Sequence, residues 1–156
     1  MCIRDRVGSA VDGLSAEQLR TPPAPGANTV AWLVWHLTRI QDGYLADLTG
    51  QDQVYVTGDH AERCGLKPDP DDNGYGHTAA QVLAVRPAGA EVLVEYHRAV
   101  HERTRAYLDG LGDADLDRVV DEDWDPPVTL GVRLVSILND DTQHVGQAAY
   151  VRGLLG

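Results

Sequence analysis

The sequence predicts an all-α protein, a bundle of three or four long helices with one long connecting loop. Three long stretches carry apolar residues three or four positions apart, which is the spacing of one face of a helix. The alternating pattern that is typical of strands is nearly absent. A polar region rich in Asp, Gly and Pro separates the first two stretches, as expected for a crossing loop in a helical bundle.

The first helix is predicted near the N-terminus. Residues Met1 to Arg6 fit poorly with the residues that come after them, and we expect them to be non-native residues that replace the true start of this helix. Val7 to Gly13 would then form its last turns, so the first helix is expected to be truncated. Ser15 to Gln18 has the capping-box pattern of a short helical turn, and the prolines between Thr21 and Gly26 predict a loop.

The second helix is predicted from about Thr29 to Leu48. Asn28 or Thr29 is a suitable N-cap, and Gly50 lies just past the C-terminal end. Its apolar positions are Val30, Leu33, Val34, Leu37 and Ile40. His36 lies within this helix, beside the apolar positions.

Residues 51–77 are predicted to be a long loop, and loops of that length are often functional. Thr78 is expected to cap a short helix that runs through Val85. The third long helix is predicted from about Pro87 to Leu111, with Pro87 at the favoured first position.

The last helix is predicted from Thr129 to about Arg152, with Gly153 at its end. With 156 residues, of which 43% are apolar, the whole chain is expected to form a single domain with its own core.

Composition excludes several classes of function. Acidic residues outnumber basic ones 24 to 13, which argues against nucleic-acid binding and against adsorption to an anionic membrane. No apolar run approaches the roughly 20 residues of a membrane-spanning helix, and no signal peptide is evident. Cys2 and Cys64 form neither a disulfide framework nor a ligand spacing. We therefore expect a cytoplasmic protein.

Asp140 and His144 are the most informative pair in the chain. Four residues apart in a helix, they lie on one face with Cβ atoms about 5–6 Å apart, close enough to share a metal ion. A metal site that does chemistry needs a third protein ligand and leaves one position open, and His36 is the natural third. Two nitrogens and one oxygen suit zinc, and less specifically nickel, iron or manganese.

Other interpretations of the histidines stay open from spacing alone. His36 and His144 are also explained as ordinary core or surface histidines, with Asp140 solvated, and spacing alone favours that explanation over a metal site. His97 and His101 also stand four apart, although packing is the simpler role for His97. His60 and His77 lie in loop sequence, where His77 either approaches the site or makes a turn contact. No Ser-His-Asp arrangement, phosphate loop or dinucleotide-binding motif is present.

Two motifs resemble those of the DinB-like metal-binding four-helix bundles. They are the segment from Trp32 to Asp42 (WLVWHLTRIQD) and the segment from Asp140 to Gln147 (DDTQHVGQ). The similarity is closest to the actinobacterial, mycothiol-dependent branch, which includes maleylpyruvate isomerase and the mycothiol transferases. The loop sequence Gly-Tyr-Gly-His-Thr, which ends at Thr78, agrees with that branch.

This resemblance implies a four-helix bundle with a long crossover loop. It also implies that His36, Asp140 and His144 bind a divalent metal, commonly zinc. Many relatives have His where this chain has Asp140, and the maleylpyruvate isomerase branch has Glu. Because Asp is one methylene shorter than Glu, metal identity and affinity are the properties this departure affects.

The function implied by the resemblance is that of a metal-dependent enzyme in which mycothiol, activated by the metal, attacks an electrophilic substrate. Gln143 and Gln147 are expected either to orient the ligands or to be plain polar surface residues. Arg39 is expected either to contact an anionic substrate or to lie on the surface. A non-catalytic metal-binding stress protein or small-ligand sensor is the alternative function, and a purely structural bundle is a third. Relatives are often homodimers.

Overall fold

The computed structural model describes residues 3–156, which fold mainly into helices. The elements are α1 (Ile3–Val11), α2 (Ala16–Arg20), α3 (Val30–Thr49), α4 (Val54–Thr57), α5 (His60–Arg63), α6 (Ala79–Ala84), α7 (Ala90–Leu108), a 3-10 helix (Asp113–Asp117), β1 (Val119–Asp121), β2 (Val128–Thr129) and α8 (Leu130–Leu155). The bundle consists of α1, α3, α7 and α8. The all-α prediction is confirmed. Met1 and Cys2, part of the segment expected to be non-native, lie outside the described residues.

Local capping signals predict the start and end of α3 and the start of α6 well. The Thr29 hydroxyl accepts a hydrogen bond from the Trp32 backbone N–H at 3.1 Å, and Gly50 ends α3 in the left-handed conformation. Thr78 and Gln81 form a reciprocal capping box at the start of α6. These contacts satisfy backbone groups that a helix terminus otherwise leaves unpaired.

The last helix starts where it was predicted, with Thr129 as its N-cap, but its C-terminal end and both ends predicted for the third long helix were wrong. Helix α7 begins at Ala90 after Gly89 and ends at Leu108, rather than running from Pro87 to Leu111. Pro87 stays outside because its carbonyl oxygen accepts hydrogen bonds from the Arg20 guanidinium. Helix α8 continues through Gly153 to Leu155, because a glycine weakens a helix without ending it.

The connections contain more structure than the sequence predicts. Two short helices, α4 and α5, lie in the region predicted to be a loop. Between α7 and α8, strands β1 and β2 pair antiparallel, with Val119 opposite Thr129. The Leu130 N–H donates to the Arg118 carbonyl at 2.8 Å, so this hairpin is tied to the first turn of α8.

Helices α3 and α7 run parallel. Thr38 contacts His97, and Gln41 donates to Thr104 at 2.8 Å, so the contacting positions rise together along both helices. A chain that leaves one end of α3 must return along the bundle before it can enter a parallel helix. The connection between α3 and α7 must therefore be long. Its path decides which of its residues pack against α3.

Helix α8 runs antiparallel to α3. His36 and Tyr44 on α3 contact His144 and Arg133 on α8, so rising positions on one helix meet falling positions on the other. The contact between these two helices is extensive and contributes Leu33, Leu37, Val145 and Ala148 to the core. Within residues 3–156, no helix is long and apolar enough to cross a membrane.

Candidate metal centre

His36, Asp140 and His144 lie together between α3 and α8. Each offers one ligand atom, and these atoms all lie within 4.8 Å of one another. The imidazole rings of His36 and His144 have centroids 4.7 Å apart, and His144 Nε2 is 3.5 Å from Asp140 Oδ1. The antiparallel packing of two helices therefore adds a third donor to the pair on α8.

The His36 ring is held with Nε2 available as a donor atom. Its Nδ1 lies 2.5 Å from the carbonyl oxygen of Asn73. A carbonyl oxygen only accepts, so the ring proton is on Nδ1 and Nε2 carries the lone pair. The Trp32 indole stacks on this ring at 4.6 Å, and burial lowers the pKa of His36. The neutral imidazole is the form that binds a metal.

The His144 ring is oriented in the same way, with Nε2 free, by a residue of its own helix. Its Nδ1 lies 2.8 Å from Gln147 Oε1, an acceptor, so Nε2 again faces the cluster. The Asp140 carboxylate is the main cause that raises the pKa of His144. Gln147 thus makes the contact expected of an orienting residue, although both Gln143 and Gln147 are exposed.

Asp140 gives a separate indication that the cluster suits a metal ion. Its Oδ2 atom is buried and has no hydrogen-bond partner among the described residues. A buried carboxylate oxygen without a partner is costly, and a cation would offset that cost. A zinc ion with ligands at about 2.1 Å holds two of them no more than about 4.2 Å apart. Small movements of these side chains would bring the widest pair within that limit.

The segment between α3 and α7 (residues 50–89), here called the crossover connection, covers the His36 side of the cluster. Gly74 packs so closely that a Cβ atom there would lie 2.8 Å from Trp35 Cζ3 and 2.9 Å from His36 Nδ1. Its φ of +93° also favours glycine. Gly74 and Asn73 were not predicted as part of the site, although the Gly-Tyr-Gly-His motif marked the segment.

His77 holds this segment in place and does not join the ligands. Its Nδ1 accepts from the Trp32 indole N–H at 3.1 Å, and its Nε2 donates to Asp72 Oδ1 at 2.8 Å. Both ring nitrogens are therefore engaged. Of the two roles left open for His77, the structure shows the turn contact.

The surface position expected for Arg39 was wrong, because this side chain is buried. Arg39 is 1% exposed, and its guanidinium lies 4.0 Å above the Tyr55 ring. It donates to the backbone carbonyls of Asp69, Pro70 and Asp72 and to Gln53 Oε1. One buried guanidinium therefore hydrogen-bonds several backbone carbonyls of the crossover connection.

The remaining histidines do not form a comparable cluster. Among residues 3–156, the only group of three or more ligating side chains that could hold a metal ion is the one described above. His97 is buried, with Nδ1 3.3 Å from the Thr38 hydroxyl, and its ring lies 6.3 Å from that of His101. His60 packs on the ring of Tyr96 at 5.0 Å.

Comparisons with known proteins agree with this architecture. A family model described as "DinB superfamily" matches residues 3–148. Among solved structures, the chain is similar to the one titled "Crystal structure of the conserved protein of locus from Enterococcus faecalis". The two share 31% sequence identity with a TM-score of 0.89, over 98% of this chain and 90% of that chain. No curated protein matches the chain significantly.

Proposed function

This chain belongs to the DinB superfamily, and on that premise we propose that it is an enzyme dependent on a divalent metal, most suitably zinc. The proposed reaction is attack by a small thiol, mycothiol, on an electrophilic carbon of a second substrate. The ligands would be His36, Asp140 and His144. The observation that carries this proposal is the convergence of these three donors, with the second nitrogen of each imidazole already hydrogen-bonded.

A divalent metal bound there would act as a Lewis acid and lower the pKa of a thiol or water. The chain itself fixes the donors. The Asn73 carbonyl holds the proton on His36 Nδ1, and the Gln147 side chain holds the one on His144 Nδ1. Such hydrogen bonds orient ligand rings and increase their basicity.

The chain also determines the direction from which a substrate can reach the cluster. Trp32 and the segment around Gly74 exclude water from the His36 side of the cluster. On the other side, the side chains of His144 and Asp140 remain 20% and 30% exposed. A thiol would therefore approach from the α8 side.

The nucleophile in this proposal comes from the cosubstrate. Within the described part of the chain, Cys64 is the cysteine present, and it is fully buried. Burial raises its pKa to about 12, so it does not form a thiolate near neutral pH. A small-molecule thiol is consistent with this arrangement.

A non-catalytic metal-binding bundle, such as a stress protein or ligand sensor, is the second candidate. One observation favours it. The imidazole of His77 lies beside the cluster with both nitrogens engaged by Trp32 and Asp72, so it is not free to act as a general base.

Metal content of the purified protein tests the site. We expect one divalent ion per chain in the wild type, loss of that ion in His144→Ala, and retention in His101→Ala, a matched change on α7. A wild-type protein that binds no stoichiometric metal would overturn the proposal.

Mycothiol-dependent consumption of monochlorobimane tests the reaction. A rate that requires both metal and mycothiol, and that is lost in His144→Ala, supports the enzyme. Should the metal-loaded protein give no rate above the uncatalysed reaction, the second candidate becomes the better description.

A further inference from the structure

A groove of about 250 Å³ runs along α3 beside the candidate metal centre. Its lining comes from α3 and from the crossover connection. Ile40, Gly43 and Tyr44 form the floor, and Pro70 and Asp71 form the wall that the connection contributes. The groove is large enough for a small polar molecule and lies open to solvent along α3.

The groove starts at the metal ligands. Asn73 belongs to both places, because its carbonyl oxygen contacts His36 Nδ1 and the residue also lines the groove. Ile40 lies one turn beyond His36 on α3. Since α3 and α8 run antiparallel, Ile40 falls at the level of Asp140, one turn before His144. A molecule whose sulfur reaches the centre can therefore place the rest of its body in the groove.

The groove offers no cation to a ligand. Among the described residues that line it, Arg39 is the only basic one. Its guanidinium is already hydrogen-bonded to three backbone carbonyls and to Gln53 Oε1, and the residue is 1% exposed. Farther along α3, Arg133 lies over the Tyr44 ring and is paired with Asp121 at 2.5 Å. An anion in the groove would thus lose water without gaining an ionic partner.

Two carboxylates give the groove its charge. Asp47 on α3 and Asp71 on the crossover connection are exposed residues of the lining. Neither takes part in an ion pair within residues 3–156. Their charges act over a Debye length, about 8 Å at physiological ionic strength, so they repel an anion in the groove. A carboxylate only accepts hydrogen bonds and therefore favours a ligand with hydroxyl or amino groups.

We propose that Asp47 and Asp71 select the thiol cosubstrate by charge, so that the groove takes a hydroxyl-rich body without negative charge and excludes anionic thiols. This selection rests on the proposed function, because the groove is assigned to the molecule whose sulfur binds the metal. Mycothiol has the first kind of body, whereas glutathione carries two carboxylates. The two aspartates contact neither the ligands nor the sulfur, so they set the affinity for the thiol and not the chemical step.

A calorimetric titration of the purified protein with two thioethers tests the selection. The ligands are S-methyl mycothiol and S-methyl glutathione, whose methylated sulfur permits binding without turnover. We expect the mycothiol derivative to bind at least about tenfold more tightly, because like charges oppose the other ligand. The difference should grow when sodium chloride is lowered from about 0.5 M to about 0.05 M, since salt screens the carboxylates.

Charge reversal in the lining locates the cause. Asp47→Lys and Asp71→Lys are each expected to reduce the preference for the mycothiol derivative at least about fivefold, because a cation replaces a carboxylate. Glu102→Lys makes the same change of net charge in the groove between α1 and α7, and should leave the preference unchanged. All three side chains are exposed, so the variants should fold, as circular dichroism will verify.

Three results would overturn the proposal: equal binding of the two thioethers by the wild type, no binding of either, or the same preference in Asp71→Lys as in Glu102→Lys. Failure of the proposed function has a different signature. A preference that shifts as expected in a protein that does not consume monochlorobimane supports the groove and removes the enzyme. Consumption of monochlorobimane at equal kcat/KM with mycothiol and glutathione supports the enzyme and removes the selection.

Discussion

His36 Nδ1 and the Asn73 carbonyl oxygen lie 2.5 Å apart, so a backbone atom of the crossover connection orients a side chain on α3. The path of that connection is therefore part of the candidate metal centre. Any change that displaces Asn73 alters the direction in which the His36 lone pair points, even though Asn73 is not a ligand.

Replacing Gly74 by Ala tests this dependence. The added methyl meets Trp35 and His36 at less than 3 Å, and the positive φ adds strain, so we expect a loss of about 3 kcal/mol in the free energy of unfolding. Gly76→Ala is the matched control, because Gly76 also has a positive φ but nothing lies within 4 Å of its Cβ position. Its expected cost is about 1 kcal/mol. Urea unfolding measures both, and equal losses would contradict the packing of Gly74 described above.

The Arg39→Met variant tests whether the buried guanidinium holds the crossover connection. Methionine fills a similar volume but leaves the carbonyls of the connection without a donor. We expect a loss of about 3–5 kcal/mol in the free energy of unfolding. Arg98→Met, at an exposed position of α7, should change it by less than about 0.5 kcal/mol. Similar urea midpoints for the two variants would rule out a major structural role for Arg39.

The Asp140→Asn variant should lower the pKa of His144 in the metal-free protein. The Asp140 carboxylate is the main cause of the raised value, and an amide carries no charge to stabilise the imidazolium. An NMR titration of the histidine ring signals in the presence of a chelator measures the change. Asp109→Asn, an exposed substitution on the surface beyond α7, is the control and should leave that pKa where it is. An unchanged value in Asp140→Asn would show that the pair is not coupled.

His97 should make the metal-free protein less stable in mild acid. Burial lowers its pKa from 6.5 to about 4, so the folded state disfavours the protonated ring. Above pH 6.5 the ring is neutral in both states and contributes no pH dependence. As the pH falls from 6.5 to 4, only the unfolded state takes up the proton, and stability falls by up to about 3 kcal/mol. Below about pH 4 the loss is complete.

The measurement compares wild type with His97→Asn by urea unfolding at several pH values with chelator present. Relative to the variant, the wild type should lose stability between pH 6.5 and pH 4. A difference that stays constant over that range would show that His97 titrates normally in the folded protein.

Features set by local chemistry were predicted best from the sequence. Thr29, Gly50 and Thr78 mark helix ends through contacts within a few residues, and those ends were found near their predicted places. Pro87 gave an equally clear local signal for a helix start, and that prediction was wrong. Its carbonyl oxygen is hydrogen-bonded to Arg20, a residue distant in sequence, and no local pattern reveals that contact. Local signals fail where a tertiary contact competes with them.

The residues of the candidate site also differ in whether the sequence could predict their roles. The pair on α8 follows from helical spacing, and His36 was the third ligand expected from the sequence before the resemblance supported it. Metal binding itself remains a prediction. Arg39 and Asn73 could not be assigned, because their roles depend on where the crossover connection passes over α3. A buried arginine is recognisable only once the carbonyls that surround it are known.

The pairing of α1 with α8 has a consequence for biosynthesis. The first and last helices share one core, to which Val7, Val11, Val145 and Val151 all contribute. During translation α1 and His36 emerge before their partners on α8. This core can close, and the three candidate ligands can meet, only after α8 has left the ribosome. Until that point, the apolar faces of the earlier helices are exposed to chaperones and to other nascent chains.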